Sequence, residues 1–239
     1  MLVVAGAALA ALALLAGVGY IYYFSGLRTA PGQLGLSATP TATPTATGSI
    51  ATPAPGLAGK WTVASGSVAG YRVKELFAGQ ASKHEAVART STVSGDLLVS
   101  SGSSAYTASN ISITVGLADL QSKDQVAGRD VSQRDGVVAR QLDVQQFPTA
   151  TFTMASASVP SGIATGAVDV AATGTLTIHG VTKDVSVKAK AQLVNGKVEI
   201  AGSLSINMTD YGVSPPQVPF VTVDSALTLE FDIFLTKGT

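Results

Sequence analysis

The side chains able to do chemistry are few in this sequence, and their spacing favours no reaction. There are two histidines, His84 and His179, and no cysteine. A thiolate nucleophile, a disulfide framework and a cysteine metal site are therefore excluded. The histidines lie far apart and neither belongs to an HExxH-type arrangement, so no metal is expected. Serine is abundant, yet no GxSxG elbow surrounds one. Neither common Gly-rich phosphate loop occurs. Asp and Glu are scattered, without a spacing that would pair two carboxylates for acid–base work. Arg129 could meet an acidic or phosphorylated head group. Alternatively, Arg129-Asp130 could pin a local helix by hydrogen bonds and charge pairing, which is the simpler reading. His179 suits a turn in which the imidazole bonds backbone groups. His84, in a polar stretch, reads as solvent-exposed, and Arg134 and Arg140 as solvated helix faces. The sequence thus predicts a protein that is not an enzyme and needs no cofactor.

Charge narrows the partners. Fifteen Lys and Arg balance fifteen Asp and Glu. A nucleic-acid binder needs a cationic surplus to neutralise phosphates, so that class is excluded. Only 13% of residues are charged, where soluble domains carry about 25%.

The elements that must position these groups fall into three zones. Residues 3–24 carry no charge. About 22 helical residues would reach roughly 33 Å, enough for a hydrocarbon core of about 30 Å. Tyr20, Tyr22 and Tyr23 cluster at the far end, as interfacial aromatics do. A signal-peptide core is shorter, roughly 7–15 residues. Residues 1–28 are therefore read as a transmembrane anchor in preference to a cleaved signal. Residues 29–59 are read as a linker. Its Ala/Thr/Pro run cannot bury enough apolar surface to offset ordering entropy, and its prolines stiffen it. Such a stalk suits an external domain near a membrane, which places the C-terminal part outside the cytoplasm.

Residues 60–239 read as strand after strand. Ile111, Ile113, Val115 and Leu117 alternate with polar or small residues. So do Val185, Val187, Ala189, Ala191 and Leu193, and then Leu227, Leu229, Phe231, Ile233 and Leu235. Period-two alternation marks antiparallel strands with one buried face. Asn195-Gly196 between two such runs signals a tight hairpin. Residues 122–143 break the pattern and predict one or two short helices. The sum is about eight strands and one helical excursion, closed as a barrel or stacked as a sandwich.

Four segments then resemble one family. Gly174-Thr175-Leu176-Thr177-Ile178-His179-Gly180-Val181-Thr182-Lys183 is similar to the signature stretch of the YceI-like family. Arg129-Asp130, the run from Phe147-Pro148 to Phe152, and Asp210-Tyr211-Gly212-Val213 resemble its other elements, in the same order. The resemblance implies an antiparallel lipocalin-like barrel that binds an apolar lipid of isoprenoid, quinone or acyl type. Met208 stands where many members carry Arg, and Val73-Lys74-Glu75-Leu76 replaces a His-containing strand. Both departures imply a grip on an apolar tail. Together with Arg129, alternation nominates Ile113, Val115, Phe152, Met154, Leu176, Ile178, Val187, Leu204, Ile206, Leu229 and Phe231 as ligand-binding residues. Small positions such as Ala189, Ala191 and Gly202 would leave room for a tunnel. The rival reading is a filled barrel serving as a ligand-free surface spacer or adhesion module.

Overall fold

The computed structural model describes residues 28–37, 56–102, 105–126 and 128–238. The proposed anchor and most of the Ala/Thr/Pro run lie outside these residues. Among the described residues no helix is long and apolar enough to cross a membrane.

The strands are β1 (Arg28–Thr29), β2 (Gly59–Val63), β3 (Val68–Phe77), β4 (His84–Thr90), β5 (Val93–Ser101), β6 (Ala105–Gly116), β7 (Gln121–Ser122) and β8 (Gln125–Val126). After helix α1 (Gln133–Gln141) come β9 (Thr149–Pro160), β10 (Val168–Ile178), β11 (Val181–Val194), β12 (Lys197–Asn207) and β13 (Val221–Lys237). Eight of them close an antiparallel ring in the order β2, β5, β6, β9, β10, β11, β12, β13 and back to β2. The ring closes because β13 is seventeen residues long. Its last residues pair with β2, and the rest of the same edge pairs with β3. Strand β4 follows β3. The barrel reading and its single helix therefore hold. The Asn195-Gly196 hairpin is also as expected, with φ of 52° and 76°, the left-handed pair that such turns require.

Three features depart from the sequence reading. First, β4 occupies a stretch read as polar loop. Its inward residues His84, Ala86 and Ala88 are buried, but two are too small to announce a hydrophobic face. Second, the helix takes up only the later part of residues 122–143, Gln133–Gln141. The start of that interval instead backs β4: Lys123 N–H donates to Val87 O at 2.8 Å, and Asp124 Oδ1 accepts from Val87 N–H at 3.0 Å. Third, β6 changes face midway. The pairing of β5 and β6 shifts by one residue between Asp96 and Leu98, and Asn110 takes φ of 52°. This is a β-bulge, which inserts one residue and reverses alternation. Hence Tyr106 and Ala108 point inward on one side of it, and Ile111, Ile113 and Val115 on the other.

Residues 28–37, which the sequence reading divided between the end of the anchor (Arg28) and the linker (29–37), lie against the barrel as a strap. Strand β1 pairs with β8. The strap then crosses the outer surface over charged side chains. Arg72 donates to Pro31 O at 2.7 Å and Arg89 to Gly32 O at 2.5 Å. Leu34 N–H donates to Glu230 at 3.1 Å, and Ser37 N–H to Glu199 at 2.6 Å. Glu230 also holds Arg72 at 2.6 Å and Arg89 at 2.8 Å. Covered in this way, Glu230 and Glu199 are 1% and 0% exposed. Burial of two carboxylates is tolerable because each receives several hydrogen bonds. Gly56, beyond the undescribed stretch, is again held by the barrel, accepting from Lys237 Nζ at 2.6 Å. Both ends of the Ala/Thr/Pro run are thus fixed to the barrel. The run does not stand between residues 3–24 and the barrel, as a stalk would.

Candidate functional site

Inward side chains do not fill the barrel. They leave a cavity of about 760 Å³, within the usual range of about 300–1,000 Å³ for ligand sites. One end is closed by Leu57, Trp61, Leu97 and Ile163, all buried in one cluster. The Trp61 indole is fixed there by its N–H bond to Leu57 O at 2.7 Å. The other end is framed by residues 128–142 and by the loop from Tyr211 to Val221, both on the cavity wall. Gln141 donates to Ser214 O and ties these two sides together.

The wall carries all of the sequence-nominated residues: Ile113, Val115, Arg129, Phe152, Met154, Leu176, Ile178, Val187, Leu204, Ile206, Leu229 and Phe231. Ala189 and Ala191 also reach it, but differently. Ala191 is 2% exposed within the closed-end cluster, whereas Ala189 is only partly buried. A Cβ on Gly202 would meet the Phe231 ring at 2.8 Å, so that glycine makes room for an aromatic wall residue. Alternation did not single out Tyr71, Val73, Phe77, Leu97 and Tyr106, which line the cavity as well. The weak alternation of β3 and the bulge in β6 concealed them.

Five charged residues border the cavity. Glu75, Arg129, Asp130 and Arg134 gather at the open end, whereas Glu230 lies along β13 with its carboxylate held by Arg72 and Arg89. Arg134 is not the solvated residue that its helical position suggested. Its guanidinium donates to Glu75 at 2.7 Å and to Asp124 at 2.7 Å. His84 is likewise not exposed; it is 4% exposed, with Nε2 2.7 Å from Asp124. Burial opposes ionisation of Asp124. The bonds from His84, Arg134 and Val87 N–H outweigh it and hold this carboxyl well below its usual range. For Glu75 burial prevails over Arg134 and raises the pKa. Burial also pushes the neighbouring Tyr71 phenol up. Glu75, His84 and Asp124 offer ligand atoms within 4.8 Å of one another. A metal ion there would have to displace the Arg134 guanidinium from both carboxylates, so the cluster is closed by its own cation. It fixes α1 over the barrel end. A charge pattern of this kind has no sequence spacing, because β3, β4, the segment before β8, and α1 each supply one member.

Arg129 and Asp130 do not pair with each other in the bonds of the described residues. The Arg129 guanidinium stacks 4.5 Å from the Phe77 ring, and Asp130 accepts from Ser132 N–H at 3.0 Å at the start of α1. Asp130 thus shapes the turn into α1, the pinning of that helix falls to Arg134, and Arg129 stays exposed at the opening.

The other sequence motifs meet in space. The Phe147 ring lies edge-on to His179 at 4.8 Å, and a Cβ on Gly180, whose φ is 75°, would meet that ring at 2.8 Å. His179 Nδ1 lies 3.3 Å from Tyr211 O, the turn role expected of it. Gly174 admits the Phe152 ring, 2.7 Å from where its Cβ would stand. One corner of the barrel is built from these residues, which explains their joint occurrence. The model of the YceI-like domain matches residues 61–235. The chain belongs to that family.

Relatives of this YceI-like chain include UPF0312 proteins of Pseudomonas syringae pv. tomato and Pseudomonas putida, 30% and 31% identical over 129 residues. The match covers 52% of this chain and 62% of each relative, so the chain spans less than two thirds of their length. Among solved structures, a polyisoprenoid-binding domain from Saccharophagus degradans implicated in plant cell wall breakdown is similar in fold. Its TM-score is 0.52 at 15% identity, over 76% of this chain and 99% of that one.

Proposed function

We propose that this chain is a membrane-tethered, extracytoplasmic lipid-binding protein that holds an isoprenoid, quinone or acyl lipid without catalysing a reaction. The observation that carries the reading is the cavity: about 760 Å³, walled mainly by Ile, Val, Leu and Phe, with four of its five charged lining residues at one end and the fifth, Glu230, paired with Arg72 and Arg89. Such a shape suits a molecule with a long apolar tail and a more polar head. Its chemistry agrees with the polyisoprenoid-binding name of the similarly folded domain. Burying a methylene contributes about 0.8 kcal/mol, so a five-carbon isoprene unit contributes roughly 4. Association costs roughly 4–15 kcal/mol. A few units therefore suffice, and the head group need add little. Arg129 and the Arg134 cluster would meet the head, and the eleven apolar nominated residues would hold the tail. The uncharged run of residues 3–24 supports a tether, since it is long enough to span. The Thr- and Pro-rich composition of the run, which is that of O-glycosylated segments, supports the extracytoplasmic side without requiring a stalk.

The test uses the chain from Arg28 onward, which retains the strap. Native mass spectrometry and organic extraction should reveal a stoichiometric apolar lipid. A barrel that remains empty, and whose melting does not shift with prenyl or acyl lipids, would sink the binding reading. Protease added to intact cells should cleave the barrel domain if it is extracytoplasmic, and spare it otherwise.

A further inference from the structure

The strap fixes where the chain leaves the barrel. Arg28 pairs with Val126 in the β1–β8 ladder, and Val126 also bridges Arg129, a residue of the open end. The chain preceding Arg28 therefore departs beside the cavity mouth. Only residues 25–27 separate Arg28 from the apolar run ending at Phe24. Fully extended, the four steps from Phe24 to Arg28 reach at most about 14 Å. The barrel is longer than that: β12 alone has eleven residues, roughly 36 Å along the strand. No stalk intervenes, because Ser37 and Gly56 are both held on the barrel.

The mouth also has the surface of a bilayer contact. Residues 211–223 carry no charge, and Val213, Pro216, Val218 and Phe220 border the cavity. Phe220 is 58% exposed, the larger of two exposed large apolar side chains among the described residues. An exposed Phe of this kind can bury at the headgroup–acyl boundary, and exposed Arg129 near it suits anionic lipid.

We propose that the barrel stands with its open mouth against the bilayer, its rim loop and Arg129 touching the headgroups, so that lipid passes between membrane and cavity without crossing water. The orientation rests on the tether reading above. It follows from the exit point of the chain and the short reach to residue 24, and the apolar rim completes it.

The chain has no cysteine, so single probes can be placed freely. In the full chain, Gln217→Cys marks the rim loop and Ala167→Cys marks the exposed closed end. Each is labelled with bimane and reconstituted in phosphatidylcholine/phosphatidylglycerol vesicles containing a headgroup spin-label quencher. Flotation reports the tether, and quenching reports the orientation. The expected result is flotation of both proteins, loss of most of the rim fluorescence, and unchanged fluorescence at the closed end. Flotation with equal quenching at both sites, quenching at the closed end alone, or quenching at neither overturns the orientation while leaving the tether intact. Failure to float overturns the tether, and the orientation with it.

Discussion

At the scale of single residues, the buried charges carry the sharpest consequences. Arg134 neutralises Glu75 and Asp124 at once. Removing one partner of a buried ion pair leaves an uncompensated charge and costs about 3–5 kcal/mol. Arg134→Ala should therefore lower the unfolding free energy by about 3 kcal/mol in urea titration. Arg140→Ala, on the exposed side of the same helix, should change it by under about 0.5 kcal/mol. Asp124 titrates below its ordinary value of 3.8, so its stabilisation is present above that value and is lost as pH falls further. Asp232 behaves oppositely. Burial and the adjacent Glu199 carboxylate raise it to about 6, and its Oδ1 has no hydrogen-bond partner among the described residues. The folded chain holds that proton more tightly than the unfolded chain, so its favourable contribution is complete below about pH 4 and is lost as pH rises through 6. Asp232→Asn keeps a donor toward Glu199 and removes the charge. Its melting temperature should exceed that of the parent at pH 7.5, and the gap should close at pH 4.5. An equal gap at both pH values would refute this assignment.

At the scale of elements, the sequence shows what local periodicity can show. The long strands β11 and β13 were legible because their inward residues are large and regular. Strand β4 was not, since Ala86 and Ala88 are too small to mark a face. The bulge at Asn110 was also hidden, because a one-residue parity switch looks like noise until the β5 partner is known. Its backbone is testable. A β-branched residue in the left-handed region costs about 1–2 kcal/mol, so Asn110→Val should lose that much in chemical denaturation. Asn110→Gly should be near neutral, since glycine adopts positive φ freely. The strap was misread for a different reason. After Arg28 its residues are uncharged, Gly- and Pro-containing and locally linker-like; what orders them is a set of charges on β3, β4, β12 and β13, distant in sequence. A chain beginning at Gly56 should be less stable than one beginning at Arg28 by about 2 kcal/mol or more, the worth of one or two hydrogen bonds to charged groups. Equal melting curves would show that the strap merely rests on the surface.

At the scale of the whole molecule, the question is whether the interior is a container or a core, and Ala189 and Ala191 separate the two. They lie on one face of β11, two residues apart, and in sequence they are equivalent. In the structure Ala191 is packed in the closed-end cluster, while Ala189 borders open cavity. Overpacking a filled site costs about 1–3 kcal/mol, whereas a ring added to a void has space and gains apolar contacts. Ala191→Phe should therefore destabilise the barrel by about 1–3 kcal/mol. Ala189→Phe should leave its stability within about 0.5 kcal/mol yet shorten the space available to a tail. If the cavity holds lipid, the Ala189 variant loses binding of long prenyl or acyl chains and retains short ones, read by native mass and by thermal shift across a chain-length series. If the interior closes up in solution, both variants are destabilised alike and chain length has no effect. The comparison thus converts a difference in burial between two identical residues into a measurement of the cavity itself.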